Sequence, residues 1–136
     1  MDMHMDRQDC AWLAIAAYSL MDLGKYEETA SLFTSDAVWV RGGVPVTGRD
    51  AILAALHKRP ATDLSRHLVT NVLVQDVTAQ SARATAVFVP LRGPLRPDGT
   101  VEMTGLSSVG DLEFEFRREA QGWRISRLTP RPVFKA

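Results

Sequence analysis

The fold is decided by one stretch of sequence, YSLMDLGKYEETASLFTSDAVWVR, at residues 18–41. It begins with the last turns of a helix predicted over residues 6–23, and Gly24 supplies the left-handed conformation that ends such a helix. A second, shorter helix is predicted over residues 25–33, and a polar Thr-Ser-Asp turn follows it. Residues 37–41 then predict a short strand. The stretch therefore indicates a protein that combines helices with a sheet.

The first predicted helix carries a continuous apolar face, because apolar residues recur at the i, i+3, i+4 spacing of one helix side. These residues are Cys10, Leu13, Ala14, Ala17, Tyr18 and Met21. The apolar run over residues 11–21 is too short to span a bilayer, and the acidic residues before it do not fit a secretory signal. Cys10 is the single cysteine and cannot form an internal disulfide, so we expect a small buried hydrophobe in a cytoplasmic protein.

Beyond residue 41 the pattern changes from helix to strand. Thr47 and Asp50 are spaced like a capping box and predict a third helix that Pro60 ends. Val, Thr, Leu, Phe and Ile then tend to alternate in long segments, which predicts an antiparallel sheet. These strands are predicted over residues 67–77, 81–91, 101–118 and 122–134. Gly105 and Gly110 are candidate positions for a bulge or bend in the third long strand.

Helices first and strands afterwards place the chain in the α+β class, with three N-terminal helices over one face of a curved sheet and a pocket between them. The 136 residues are 46% apolar and 24% charged, which is typical of one globular domain over residues 1–136. Basic and acidic residues number 16 each, so the chain has no electrostatic footprint for nucleic acid. No cluster of His, Cys or acidic residues has metal-ligand spacing, and we expect no metal.

Two polar residues stand out from this layout. Asp22 ends the first helix, where the helix dipole disfavours a carboxylate by roughly 0.3–1 kcal/mol. Its position beside Tyr18 aims it along the pocket side, but an exposed Asp that caps the next helix fits the spacing equally well. His67 begins a strand in which alternation places it on one face with Val69 and Asn71. A histidine at a strand start is more often a surface residue than a catalytic one.

Residues 18–41 resemble the opening of SnoaL-like proteins of the nuclear transport factor 2-like superfamily. The segments VTGRDAI at 46–52, HLVTN at 67–71 and GWRI at 122–125 are similar to later landmarks of the same family, so the resemblance covers nearly the whole chain. It implies a cone-shaped α+β barrel. Members include polyketide cyclases, dehydratases, isomerases, a dehydrochlorinase and dioxygenase small subunits, so the resemblance indicates the fold far more closely than the substrate.

Asp22 and His67 match the Asp–His pair of scytalone dehydratase and hexachlorocyclohexane dehydrochlorinase. In such a pair a neutral imidazole takes a proton, while the carboxylate fixes its tautomer and stabilises the imidazolium. The resemblance implies a cofactor-independent lyase or isomerase acting on a small, largely apolar carbonyl or hydroxyl compound. We expect an Asp22–His67 hydrogen bond of roughly 2.6 to 3.2 Å. The expected substrate contacts are Tyr18, Trp39, Asn71, Met21 and Met103.

A second interpretation is open, namely a non-catalytic ligand-binding or oligomerisation module in which the pair only orders the core. Ala17 occupies the position of the dehydrochlorinase lysine, so dehalogenation is not expected. Arg124 and Arg127 are predicted on opposite faces of the last strand, so at most one of them reaches the pocket. We expect a homodimer first and a trimer second, because the outer face of such a sheet is partly apolar.

Overall fold

The computed structural model describes residues 2–103, 105 and 108–136, and these form three helices and a six-stranded sheet. The helices are α1 (Met3–Asp22), α2 (Tyr26–Ser31) and α3 (Arg49–His57). The strands are β1 (Phe33–Arg41), β2 (Val44–Thr47), β3 (Asp63–Gln75), β4 (Ser81–Pro94), β5 (Ser108–Glu119) and β6 (Gly122–Lys135). The predicted α+β class is confirmed.

The strands lie in the order β2-β1-β6-β5-β4-β3. All neighbours pair antiparallel except β1 and β6, which are parallel, so the sheet is mixed. Helix α1 packs across the curved inner face, most closely along β3. Large apolar side chains of both layers fill the space between them, including Tyr18, Phe33, Trp39, Ile52, Phe114, Phe116 and Leu128. This packing fixes the end of α1 against the beginning of β3.

Helix α1 has the apolar face that its spacing predicts, and all six residues of that face are buried. It begins at Met3, because the Asp2 side chain accepts hydrogen bonds from the backbone N–H groups of His4 at 3.0 Å and Met5 at 3.2 Å. Burial raises the pKa of Cys10 to about 12, so its thiol is an inert core group. None of the described helices is both long enough and apolar enough to cross a membrane.

The predicted start of the third helix is wrong in its detail. Thr47 belongs to strand β2 and pairs with Val38, while Gly48 is the N-cap of α3 and makes no side-chain cap. The short strand β2 has only four residues, and the sequence pattern did not predict it. It arises because Gly42 and Gly43, with φ of 58° and 79°, close a tight hairpin after β1.

The third long strand begins at Ser108, later than predicted. Residues 101–103 and 105 are not part of a strand, and residues 104, 106 and 107 lie outside the described residues. Val101 instead packs against the end of β4, where a Cβ on Gly93 would lie 2.5 Å from its Cγ1 atom. A register shift lies between Val109 and Gly110, but its extra residue is Val133 of β6, so the bulge is in the partner strand. A Cβ on Gly110 would lie 2.6 Å from the Phe88 ring.

The face of the sheet away from the helices is charged at its centre. Glu113 and Arg131 form an ion pair of 3.1 Å on this face, with Arg127 beside Glu115 at 4.0 Å. An exposed apolar side chain on this side of the sheet lies on β3, where Leu68 is 56% exposed. The homodimer stays a prediction.

Candidate active site

The candidate site forms where the C-terminal end of α1 meets the first residues of β3. Asp22 is the last residue of α1. On β3, Ser65 is buried and His67 is half-buried, while Arg66 between them is exposed. Strand alternation therefore turns Ser65 and His67 toward the same inner face, where they meet the carboxylate that the helix end presents.

Asp22 and His67 are in direct contact. The Asp22 Oδ1 atom lies 2.7 Å from His67 Nδ1, within the predicted interval, and also accepts a hydrogen bond of 2.7 Å from the Ser65 hydroxyl. The Asp22 Oδ2 atom accepts a hydrogen bond of 2.6 Å from the backbone N–H of His67. The two side chains are 6% and 12% exposed, so the pair is largely shielded from water.

The hydrogen bonds keep the Asp22 carboxyl ionised. Burial raises its pKa, but the hydrogen bonds from the His67 ring, the Ser65 hydroxyl and the His67 backbone outweigh burial and hold the pKa below the ordinary 3.8. An ionised carboxylate can only accept hydrogen bonds, so Nδ1 of a neutral His67 ring must carry the hydrogen. The lone pair of the neutral ring then lies on Nε2.

Ser65 is itself tied to a cation that the sequence did not indicate. The Arg59 guanidinium donates hydrogen bonds to the Ser65 hydroxyl at 2.5 Å and to the Met21 sulfur at 3.1 Å. Ser65 could have been found from its period-2 spacing to His67. Arg59 could not, because it lies in the turn before Pro60, where no periodicity relates it to the strand.

Aromatic side chains form the walls around the His67 ring. Tyr18 lies at a centroid distance of 4.9 Å from the imidazole, and Phe88 stacks nearly parallel to it at 6.4 Å. Trp39 meets Tyr18 edge-on at 5.7 Å and stacks on Phe33. Tyr18 and Trp39 are almost fully buried, and burial raises the pKa of Tyr18, so its hydroxyl stays protonated at neutral pH.

Two cavities border the site, one at the Asp22 carboxylate and the other at Ser65. One, of about 220 Å³, is lined by Met21, Asp22, Arg59 and Ser65 among others. The other, of about 270 Å³, also reaches Ser65 and is bordered by Met103, which is 73% exposed. The lining of these two cavities includes neither His67 nor the predicted contacts Tyr18 and Trp39.

Comparisons with known proteins show the family and the fold of the chain. The family model described as SnoaL-like domain matches residues 4–129. The chain belongs to the SnoaL-like family. No curated protein matches the chain.

Solved structures with the same fold resemble this SnoaL-like chain along almost its whole length. A nuclear transport factor 2-like protein with a cystatin-like fold from Novosphingobium aromaticivorans is 26% identical, with a TM-score of 0.80, and the match covers 96% of this chain and 84% of that one. A protein from Streptomyces avermitilis, named as a proposed dehydratase of the same superfamily, is 23% identical with a TM-score of 0.80 over 96% and 97% of the two chains. The predicted family is confirmed.

The predicted placement of Asn71 on the same strand face as His67 is wrong. Asn71 is exposed and adopts a φ of 55° at a register shift between Thr70 and Leu73. The Thr70 hydroxyl donates to its side-chain oxygen at 3.0 Å. This bulge reverses the alternation, so Val72 packs against the core in place of Asn71.

The two arginines of the last strand also lie away from the pair. Strand β6 has a register shift between the partners of Glu115 and Phe116, so simple alternation fails between Arg124 and Arg127. Arg127 is exposed beside Glu115, and Arg124 lines cavities with Asp50 of α3 and Trp12 of α1. Neither Arg124 nor Arg127 lines the 220 Å³ or the 270 Å³ cavity at the site.

Metal-ligating groups are scattered in the part of the chain that the structure describes. Within residues 2–103, 105 and 108–136, no group of three His, Cys, Asp or Glu side chains could hold an ion.

Proposed function

We propose that this SnoaL-like protein is a cofactor-independent lyase or isomerase of the dehydratase or cyclase type. Its substrate is a small, largely apolar carbonyl or hydroxyl compound, His67 is the general base and acid, and Asp22 orients His67. The observation that carries this proposal is the 2.7 Å contact between Asp22 Oδ1 and His67 Nδ1. Because Ser65 and the His67 backbone also donate to the carboxylate, Asp22 is fixed in place and favours one orientation and one tautomer of the imidazole.

The reaction begins when His67 Nε2 takes a proton from the carbon next to a carbonyl group. The electron pair of that C–H bond moves toward the carbonyl, and Asp22 stabilises the imidazolium that forms. In a dehydration, the pair forms a carbon–carbon double bond and a hydroxyl group on the neighbouring carbon leaves as water with the proton from His67. In an isomerisation, His67 returns the proton to a different carbon. Both routes restore the neutral imidazole and require no oxidant or reductant.

The names of structural neighbours support this class of reaction. The Streptomyces avermitilis neighbour is named as a proposed dehydratase, and another neighbour, from Novosphingobium aromaticivorans, is named as a proposed aromatic ring hydroxylase. The second is 24% identical, has a TM-score of 0.77, and matches over 96% of this chain and 90% of its own. The dehydratase name is of the proposed reaction class, whereas the hydroxylase name denotes a different reaction and indicates only an aromatic substrate for that neighbour. Dehydration is one of the two reactions that the Asp–His pair can supply.

A second candidate is a non-catalytic ligand-binding or oligomerisation module. The observation in its favour is that the His67 ring packs against both Tyr18 and Phe88 and borders neither of the two cavities described above. In such a module the buried pair would order the junction of α1 and β3 without moving a proton.

Exchange of carbon-bound protons for deuterium distinguishes the two candidates. A panel of 3-hydroxy ketones and 1,3-diketones in deuterium oxide is followed by proton NMR with the wild-type protein and His67→Ala. We expect the wild type to accelerate exchange, and His67→Ala to lose about 10²–10⁴-fold of that rate. His57→Ala is the matched control, because His57 is exposed and pairs with Glu27 at 3.0 Å.

Equal exchange rates for the wild type and His67→Ala would overturn the proposed base. Binding of panel compounds by a wild-type protein that exchanges none of their protons would favour the second candidate.

A further inference from the structure

Two guanidinium groups converge on one sulfur atom beside the catalytic pair. Arg41 Nη1 lies 3.9 Å and Arg59 Nη1 lies 3.1 Å from the Met21 sulfur. A thioether sulfur is a weak hydrogen-bond acceptor and carries no charge. Both arginines are half-buried, so water can accept only some of the hydrogen bonds that their guanidinium groups donate.

Neither guanidinium forms an ion pair with an acid among the described residues. The neighbouring Arg92 differs, because its Nε atom pairs with Asp63 at 3.0 Å. The other contact of Arg59 is the neutral Ser65 hydroxyl. A guanidinium stays charged in proteins, and a partly desolvated charge without a counterion is unfavourable. Arg41 and Arg59 therefore form a local excess of positive charge.

The Arg41 guanidinium is held against the face of an aromatic ring. Its guanidinium carbon lies 4.8 Å from the centre of the Trp39 ring, over the ring face. Burial lowers the pKa of Arg41, and the charge of Arg59 lowers it further. An anion placed between the two guanidiniums would relieve both effects.

The adjoining cavity has room for such an anion. The 220 Å³ cavity is lined by Met21, Arg59 and Arg92 together with Asp22 and Asp63. Arg41 does not line this cavity but lies behind its wall, with Nη1 3.9 Å from the sulfur of the lining residue Met21. Both acids are already engaged, Asp22 with His67 and Ser65, and Asp63 with Arg92. Asp63 balances Arg92, whereas Asp22 is hydrogen-bonded to the neutral Ser65 hydroxyl and the His67 ring and keeps its own charge. Arg41 and Arg59 together therefore exceed Asp22 by one positive charge, which favours a small, singly charged anion over a bulky, highly charged one.

We propose that Arg41 and Arg59 bind a carboxylate group of the substrate. The planar fork of a guanidinium matches the two oxygens of a carboxylate, and charge-assisted hydrogen bonds of this kind are the stronger ones. The substrate is then an aromatic or aliphatic carboxylic acid, with an apolar body and one anionic end, rather than a wholly apolar compound. This assignment rests on the proposed function in placing that substrate next to His67.

Calorimetric titration with benzoate and its neutral isostere benzamide tests the assignment. We expect the wild type to bind benzoate at least about tenfold more tightly than benzamide. Arg41→Gln should abolish this preference, and Arg41→Lys should retain part of it because the charge remains. Arg117→Gln is the matched control, since Arg117 is exposed and already pairs with Asp36 at 3.1 Å. Inorganic phosphate should bind more weakly than benzoate.

Three results would overturn the carboxylate site. They are equal affinity of the wild type for benzoate and benzamide, an unchanged preference in folded Arg41→Gln, and phosphate affinity equal to that of benzoate. The wild-type comparison decides the matter even if Arg41→Gln does not fold. Repeating the titration with His67→Ala separates this inference from the proposed function. Benzoate binding should persist in that variant, whereas loss of proton exchange concerns only the reaction.

Discussion

Helix α1 carries a buried carboxylate near each end, and the two differ in what balances their charge. Asp6 lies in the first turn and is 5% exposed, and its Oδ1 atom accepts hydrogen bonds from the Arg118 guanidinium and, at 3.1 Å, from Trp123 Nε1. Asp22 ends the helix, and its hydrogen-bond donors among the described residues are Ser65 and His67. The helix dipole favours a carboxylate at the first position and disfavours it at the second.

Under the proposed function, this difference separates a structural acid from one that supports proton transfer. Asp6 is neutralised in place by Arg118, which also lies over the Trp123 ring at 4.7 Å. The hydrogen bond from Trp123 lowers the pKa of Asp6, burial opposes it, and Arg118 lowers the pKa further. Asp22 has no cation in direct contact among the described residues. Its ring partner becomes a cation only on taking up a proton, so its negative charge is directed at proton transfer by His67.

The largest expected effect is on the rate of proton exchange, when the charge of Asp22 is removed and compared with removal of the charge of Asp6. Asp22→Asn should lower the rate of proton exchange by about 10²–10⁴-fold, because an amide can present the wrong ring tautomer and lacks the charge that stabilises imidazolium. Asp6→Asn should leave the rate per folded molecule unchanged. Deuterium exchange at matched folded fractions measures both rates, and equal losses in the two variants would remove the distinction.

For the free energy of unfolding we expect the opposite order, with Asp6 contributing more than Asp22. Asp6→Ala leaves the Arg118 guanidinium and the Trp123 N–H without their shared acceptor, so it should lower the free energy of unfolding more than any other single acid-to-alanine change tested. Asp36→Ala is the control, because Asp36 pairs with Arg117 at an exposed site. Urea denaturation measures the changes. If Asp6→Ala were no more destabilising than Asp36→Ala, the structural interpretation of Asp6 would be wrong.

The stabilising effect of the Asp22 charge should be lost at low pH. Its folded-state pKa is depressed, so its contribution to stability is full above the ordinary carboxyl value of 3.8 and is lost as pH falls through the lowered value. Asp22→Asn should therefore be less stable than the wild type at neutral pH, and this difference should shrink from about pH 5 downward. Urea denaturation at a series of pH values measures it. A difference that grows in acid would contradict the sign.

The smallest effect concerns the hydroxyl between Arg59 and Asp22. Ser65→Ala removes one donor to the carboxylate and one acceptor of Arg59, and should cost about 1–3 kcal/mol of unfolding free energy. Exchange should fall far less than in Asp22→Asn, because the His67 contacts remain. Ser31→Ala is the control, since its exposed hydroxyl donates only to the Glu28 carbonyl. Equal stability of the two variants would show that Ser65 does not support Asp22.

The sequence predicts the contacts of Asp22 far better than the contacts of Asp6. Helical spacing predicts the buried face of α1 and therefore the direction of Asp22, while the family resemblance indicates His67 as its partner. The partners of Asp6 are Arg118 and Trp123, which lie more than a hundred residues away in the chain. No local period relates such positions, so only the folded sheet brings them together.

Local irregularities explain the remaining differences between prediction and structure. Alternation predicts Asn71 beside His67, but the positive φ of Asn71 shifts the register by a bulge that alternation cannot anticipate. Arg41 gives a comparable case. It reads as the end of a short strand, and only the packing of Met21 and Trp39 turns it into a half-buried cation.

The proton position on the His67 ring is the most direct test of the claim that Asp22 prepares His67 as a base. Nitrogen-15 NMR of the wild-type protein, at a pH where the ring is neutral and with the signals assigned by His67→Ala, reports which nitrogen carries the hydrogen. We expect the hydrogen on Nδ1, facing Asp22 Oδ1, and an unprotonated Nε2. A hydrogen on Nε2 would contradict the claim, because that nitrogen could not then accept a proton from substrate.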